Sequence, residues 1–424
     1  MAMAAAVAVA AAGLVAVASL TVQALHGRSL DLAPLFVAGR LAWAGQQAHL
    51  FVYQPLLSPE VQDEAWSAAA AAGGYRDWLL AYVFPPVWAE LFAWPAAHLD
   101  WRWFRAGFAL ANAGALALGC ALAARLWAPP GRAMQAAAIS LAVLPFAWPA
   151  ACSAFFNQVQ PWAALALLAA LHEAERDRPA RAGMLLALAG ALKLTPALMG
   201  VWWLITGRWR AAGWALGAGA ALFALNLAVA GIGPTRAFID QIGRVGELLQ
   251  AGGVNQSLLI PAAHLFGVSL PPGVGVAFAP PGARLLAWGG ALAALAFAAI
   301  RLRGAGAEAR RGRLMPVILI LTSAVSPLAW THYFPFLVPL AVGLGFRLRH
   351  GPAVAAAALG ALVLATGLFF WAPALHDRVP QLTLVVALGL AGAALFLPDR
   401  KASSPNAAAD LGRNPALRPP RAEL

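Results

Sequence analysis

Lys193 stands inside the apolar stretch LALAGALKLTPALMGVWWLI, residues 186–205, three residues before Pro196. The chain has 29 Lys and Arg, yet only Lys193 and Lys401 are lysine. An ionisable group in an apolar segment is costly to bury and marks a functional site by default. A compact ammonium suits a phosphate or a carboxylate. The alternative is a lysine that snorkels or pairs structurally. Asp31 is the only carboxylate among the first 59 residues. It falls where a first apolar segment meets a long loop, so it can be partly desolvated and still reach water, as a general base must. Asp31 also precedes a helical pattern and could cap it, and the two roles are compatible. His332 follows Trp330 in SPLAWTHYFPF, a position that suits a catalyst or an interface residue. Asn157, Gln158 and Gln160 in FFNQVQPW are amides in an apolar stretch, fit to bind sugar hydroxyls or to bond between helices. Glu90, in FPPVWAELFAWP, fits a structural ion pair with Lys193 or an arginine better than catalysis.

These residues need a scaffold, and the composition says which kind. The 424 residues are 62% hydrophobic and 11% charged, with mean hydropathy +0.72, against roughly a quarter charged in soluble domains. The chain reads as an all-α polytopic membrane protein. Apolar segments near 4–25, 79–99, 104–126, 133–150, 159–173, 182–206, 211–230, 283–302, 314–329, 333–347, 351–371 and 380–398 give about twelve transmembrane helices, both termini on one side. The net charge of +12 comes from arginines in short loops, above all RLRGAGAEARRGR at 301–313, so it signals cytoplasmic anchoring rather than nucleic acid. The loops 207–210 and 347–350 and the tail belong to that side, and the loops 27–78 and 231–282 to the outer one. Arg125 and Arg132 fall outside if every segment crosses once; a half-crossing pair within 133–206 would restore the parity. The expected location is the inner (plasma) membrane, with the site facing outward. A retained first span is expected rather than a cleaved leader, since the first 25 residues have no basic start.

Each long outer loop is expected to carry an amphipathic helix. Leu32, Leu35, Phe36, Gly39 and Trp43 repeat at helical spacing, which suits a helix lying along the interface. Pro234 starts a second helix expected to end at Gly252-Gly253, with Asn255, Gln256 and Ser257 just beyond. Residues 1–398 form the membrane domain, and 399–424 a polar, disordered cytoplasmic tail. Cys120 and Cys152 read as buried structural thiols. No nucleotide-binding loop, zinc spacing or nucleophile elbow occurs, so no cofactor is expected, and a metal requirement is left open.

Five stretches in this order resemble glycosyltransferase family 87, a branch of the membrane-embedded GT-C glycosyltransferases that includes polyprenyl-phosphate-mannose-dependent α-(1→2)-mannosyltransferases. They are Asp31 with FVAGRLAWAG and Tyr53; VFPPVWAELFAWPAAHL at 83–99; FNQVQPW at 156–162; ALKLTPAL at 191–198; and VNQSL at 254–258 with SPLAWTHY at 326–333. Asn157-Gln158 stands where the family has Gly-Gln, and Tyr333 where it often has a second histidine. The resemblance implies a GT-C fold and transfer of a hexose, mannose first, from a polyprenyl-phosphate donor to a lipid or glycan acceptor at the outer face. It implies Asp31 as base, His332 beside it, and Lys193 at the donor phosphate, with Arg40 and Arg236 the next phosphate candidates. Asn157, Gln158, Asn255, Gln256 and Trp330 would line the substrate site. The alternative is a lipid-linked-sugar flippase using the same polar residues as a path. The lack of a visible repeat of the two halves argues against it, as do unequal outer loops.

Overall fold

The computed structural model of the protein describes residues 2–51, 61, 63–250, 254–269, 276–306, 308, 310–372 and 381–400. Tyr53, Gly252, Gly253 and the tail beyond Arg400, with Lys401, lie outside the described residues. Among the described residues the named strands are one antiparallel ladder, β1 (Leu248–Gln250) on β2 (Val276–Phe278), in register Leu249 to Ala277; the rest is helices and their connections.

Among the described residues five helices are individually long and apolar enough to cross a bilayer: α1 (Ala2–His26), α6 (Trp101–Trp127), α12 (Trp209–Ala230), α15 (Pro281–Arg301) and α18 (Gly351–Trp371). A sixth candidate is a broken pair. Helix α7 (Ala133–Val143) continues through a tight turn to Phe146, then meets α8 (Trp148–Phe156) at 56°. The break falls between Pro145 and Pro149, each of which lacks a helical N–H. The remaining apolar segments are shorter helices. They are α9 (Gln160–Glu175), α10 (Pro179–Leu192), α11 (Leu198–Ile205) with its leading turn Thr195–Ala197, α16 (Met315–Ala324), α17 (Leu337–Arg347) and α19 (Leu382–Phe396). Among the described residues five of these helices, or six with the broken pair, have the length and apolarity of a crossing.

Two expected elements differ in kind. Residues 79–99 are not one helix but an extended run followed by α4 (Pro86–Leu91) and α5 (Ala93–His98). Pro85, Pro86 and Pro95 interrupt any longer ladder. Helix α2 (Ala33–Trp43) does not lie along a surface: nine of its eleven residues are buried, packed by α3 (Glu64–Ala72), α4 and α5. In the second outer loop α13 (Ile232–Val245) starts two residues before Pro234 and ends at Gly246, ahead of β1. The short helix α14 (Leu259–Leu265) then packs on α15.

The broken segment 179–205 decides the architecture. A Cβ on Gly190 would lie 3.3 Å from Ala197 Cβ, and one on Gly200 3.7 Å from Leu186 Cδ2. A straight helix would hold residues 186 and 200 about 21 Å apart. Helices α10 and α11 are therefore the two arms of a re-entrant hairpin. Both arms open at one end of the bundle, where Arg208 donates to the Ala174 carbonyl at 2.5 Å and to Glu175 at 2.6 Å. Pro196 removes the N–H that would bond the Leu192 carbonyl, and Lys193 takes an extended conformation, φ −155°, ψ 131°. Lys193 is the tip.

The hairpin falls within 133–206, the region where the arginine count calls for a half-crossing pair. Arg132 sits with the arginine-rich end, its guanidinium 5.9 Å over the Phe346 ring. At the same end Arg313 pairs with Asp399 at 2.6 Å, Arg347 reaches Glu308 at 3.4 Å, and the Arg349 N–H meets the Pro398 carbonyl. Arg105, at the Asp31 end of α6, is about 33 Å along the helix from Trp127 at the arginine-rich end.

Candidate active site

Asp31 lies on a turn that the chain locks onto the end of α8. The Ser29 N–H bonds the Phe155 carbonyl at 3.1 Å and the Asp31 N–H the Phe156 carbonyl at 3.2 Å. The turns come so close that a Cβ on Gly27 would meet Phe155 O at 2.2 Å, so only glycine fits. Arg105 Nη2 grips the end of α1 through the carbonyls of Ala24, Leu25 and Gly27, at 2.9, 2.5 and 2.7 Å. A cation there also meets the negative end of the helix dipole. Asp31 does not cap α2: its N-cap is Leu32, with no side-chain bond. The carboxylate instead accepts a hydrogen bond from Gln158, and Lys193 lies within electrostatic reach. Burial pushes the Asp31 carboxyl up to about 6, opposed by the Gln158 bond and then by the Lys193 charge. Asp31 as a residue is half-buried.

The two neighbouring amides have separate jobs. Asn157 ends α8 in the left-handed conformation, φ 51°, which asparagine tolerates better than most residues. Its carbonyl oxygen accepts from Asn112 at 2.8 Å, and its amide donates to the Arg105 carbonyl at 3.3 Å. Trp162 in turn donates to Asn112 at 2.9 Å. Asn157 thus bonds between helices, and this sets the direction of Gln158 toward Asp31. Asn157→Gly keeps the backbone geometry but strands the buried Asn112 amide. Thermal unfolding in detergent should show a loss of about 1–3 kcal/mol; an unchanged melting point would dissociate the network from the turn.

Lys193 enters from the hairpin tip. Its Nζ lies 4.3 Å from the centre of the Tyr333 ring, and the Ala191 carbonyl beside it accepts from the Trp88 indole at 3.0 Å. His332 is 2% exposed. Its ring lies between Trp330, 6.5 Å away and nearly parallel, and Tyr333, at 5.1 Å. Both ring nitrogens are buried and meet no protein partner, and so is Gln158 Oε1. Lys193 is within electrostatic reach of His332 as well as of Asp31. Asp31, Gln158, Lys193, His332 and Tyr333 therefore converge, and the Cys152 thiol packs among them against the His332 backbone. Cys120 is likewise a buried free thiol.

Other candidates are placed elsewhere. Asn255 donates to the carbonyls of Gln250 and Pro327 at 2.8 and 3.1 Å, and its own carbonyl holds the Ser257 N–H. Gln256 Oε1 accepts from the Leu384 N–H at 3.0 Å. With Thr331 N–H on Val254 and Gln256 N–H on Ala329, this segment clasps the loop that carries Trp330 and His332. Asn255 positions that loop, and the Gln256 side chain ties the segment to α19. Arg40 donates to the Ala96 carbonyl at 2.8 Å and lies over Phe36, in the α2 packing. Arg236 is exposed on α13. Glu90 accepts from Gln47 at 3.1 Å rather than meeting Lys193. Gln160 Oε1 is buried without a partner. The sequence reading passed over Arg105 and the aromatic role of Tyr333; an arginine seven residues before Asn112 carries no local mark of a helix clamp.

The model of glycosyltransferase family 87 matches residues 82–327, more than half of the chain. The chain belongs to glycosyltransferase family 87. The polyprenol-phosphate-mannose-dependent alpha-(1-2)-phosphatidylinositol pentamannoside mannosyltransferase of Mycolicibacterium smegmatis is 32% identical over 186 residues, 44% of this chain and 41% of that protein. The chain thus spans about two fifths of that relative's length. No solved structure matches. In this member of family 87 the matched segment supplies Gln158 and Lys193. Asp31 and His332 lie on either side of it in sequence, and the fold brings all four together.

Proposed function

We propose that this protein transfers a hexose, mannose in the first instance, from a polyprenyl-phosphate donor to a hydroxyl of a lipid or glycan acceptor. The convergence of Asp31, Gln158, Lys193 and His332 carries this reading. The ionised Asp31 takes the proton of the acceptor hydroxyl as its oxygen attacks the anomeric carbon. The bond from that carbon to the phosphate oxygen breaks, and polyprenyl phosphate leaves with the electron pair. Lys193 stands by the growing phosphate charge. Direct displacement with inversion needs one carboxylate as base, the role given to Asp31. The relative's dependence on polyprenol-phosphate-mannose supports the donor class. The purified protein should move label from polyprenyl-phosphate-[¹⁴C]mannose to a lipid or glycan acceptor. Translocation of intact donor without transfer would instead select the flippase.

The site is assigned to the outer face of the plasma membrane, because the opposite end carries the short arginine loops. With Cys120 and Cys152 replaced, single cysteines at Ser67 and Gly306, both exposed, report the orientation. In intact cells an impermeant thiol reagent should label position 67 and not 306. The reverse pattern would overturn an outward-facing site.

A further inference from the structure

At the arginine-rich end the base of the re-entrant hairpin encloses a cavity of about 190 Å³ that the reaction above does not use. Its apolar wall is formed by Leu171, Met199, Trp202, Trp203 and Ile318; its polar rim by Glu175, Arg208, Arg310 and Arg311. The charges do not cancel. Glu175 is taken by Arg208, and Arg313 and Arg347 are paired with Asp399 and Glu308. Among the described residues Arg310 and Arg311 form no ion pair, and Arg311 Nε is buried with no hydrogen-bond partner. Both arginines belong to a π-helical turn, Arg310–Leu314, a costly distortion that is frequent at functional sites. Beside the cavity Leu204, Ile205 and Trp209 are 41%, 71% and 66% exposed, an apolar surface suited to acyl chains.

We infer that this cavity binds the phosphate of an anionic phospholipid from the leaflet at the arginine-rich end, with Arg310 and Arg311 on the phosphodiester and the acyl chains along α11. The shape and charge suit this ligand. An uncharged rim would not select an anion, and a zwitterionic headgroup would bring a second cation against two unpaired guanidinium groups. The ligand would brace the arm whose other end is Lys193.

The test uses the full chain in detergent, with lipid retention read by native mass spectrometry. Dioleoyl-phosphatidylglycerol should be retained over dioleoyl-phosphatidylcholine. Arg310→Gln/Arg311→Gln should weaken phosphatidylglycerol binding roughly 30-fold, two contacts at about 1 kcal/mol each. Arg310→Lys/Arg311→Lys should restore most of it. A control pair on the same face but outside the cavity, Arg301→Gln/Arg349→Gln, should leave it within about threefold. Equal losses in the two Gln pairs would reduce the effect to general surface charge and overturn the site. Full competition by millimolar inorganic phosphate would also overturn the lipid assignment, in favour of a free-phosphate site. If the Gln pair unfolds, Met199→Trp, which fills the cavity and leaves both arginines, should lose phosphatidylglycerol as well; retention there would equally end the proposal.

Discussion

Asp31→Asn is expected to fold, insert and bind donor, and to lose turnover by about 10² or more. The substitution keeps the size of the side chain and an oxygen that can accept the Gln158 hydrogen bond. Asp31 caps no helix, since α2 begins at Leu32 without a side-chain bond, so no capping energy is at stake. What disappears is the proton acceptor. The ionisation of wild-type Asp31 gives a second readout. Burial holds the folded carboxyl at about 6, above its ordinary 3.8. Below that value the base is protonated and kcat/KM should fall about tenfold per pH unit, an acid limb that the Asn variant should lack. Stability runs the other way. A raised folded value means that protonation favours the fold, so this contribution is full below pH 4 and is lost as pH rises through 6. Asn, which is never charged, should therefore leave the melting temperature at pH 7 unchanged or raise it. Near-wild-type turnover of Asp31→Asn, with an acid limb still near 6, would remove the base from Asp31.

What was legible in the sequence follows from what burial costs. Asp31, Lys193 and His332 stand out because a titratable group in an apolar neighbourhood needs a reason to be there, and all three meet in the fold. Two of them lie outside the segment 82–327 that the family model matches, so their place in one site rests on chain geometry. Hydropathy gives the depth of a segment but not its direction. Residues 182–206 therefore read as one crossing, and only Pro196 and Lys193 hinted at the turn that makes them a hairpin. The same limit explains residues 79–99, where composition suggests a span and three prolines impose two short helices. Adjacent amides were equally opaque. Asn157 and Gln158 differ in role because a left-handed φ at Asn157 turns one side chain to Asn112 and the next to Asp31. Asn255 and Gln256 read as ligands because they are polar in an apolar region; in the fold the Pro327 carbonyl and the Leu384 N–H bond their side chains, partners too distant in sequence to be foreseen.

Lys193→Met is expected to cost the protein its activity and none of its stability. The cation–π contact with Tyr333 contributes about 0.5–2 kcal/mol. Withdrawing an ammonium from water costs several kcal/mol, and Asp31, itself pushed toward neutrality, offsets only part of it. The lysine therefore burdens the fold, at the tip of a hairpin that Pro196 already keeps from forming a continuous helix. Methionine retains the apolar stem and removes the charge, so its melting temperature should equal or exceed that of wild type. Turnover should fall by about two to three orders of magnitude, the scale of removing one donor from a developing oxyanion. Lys193→Arg separates charge from shape. It keeps the cation but brings a planar fork of longer reach into a space set by Tyr333 and the hairpin turn. It should fold, with weakened donor binding and turnover between wild type and Met. Donor binding and turnover for the three proteins side by side in nanodiscs decide the matter. Full activity in Lys193→Met would make the lysine incidental to the chemistry and send the search for the phosphate ligand to Arg236, since Arg40 is already spent on the Ala96 carbonyl.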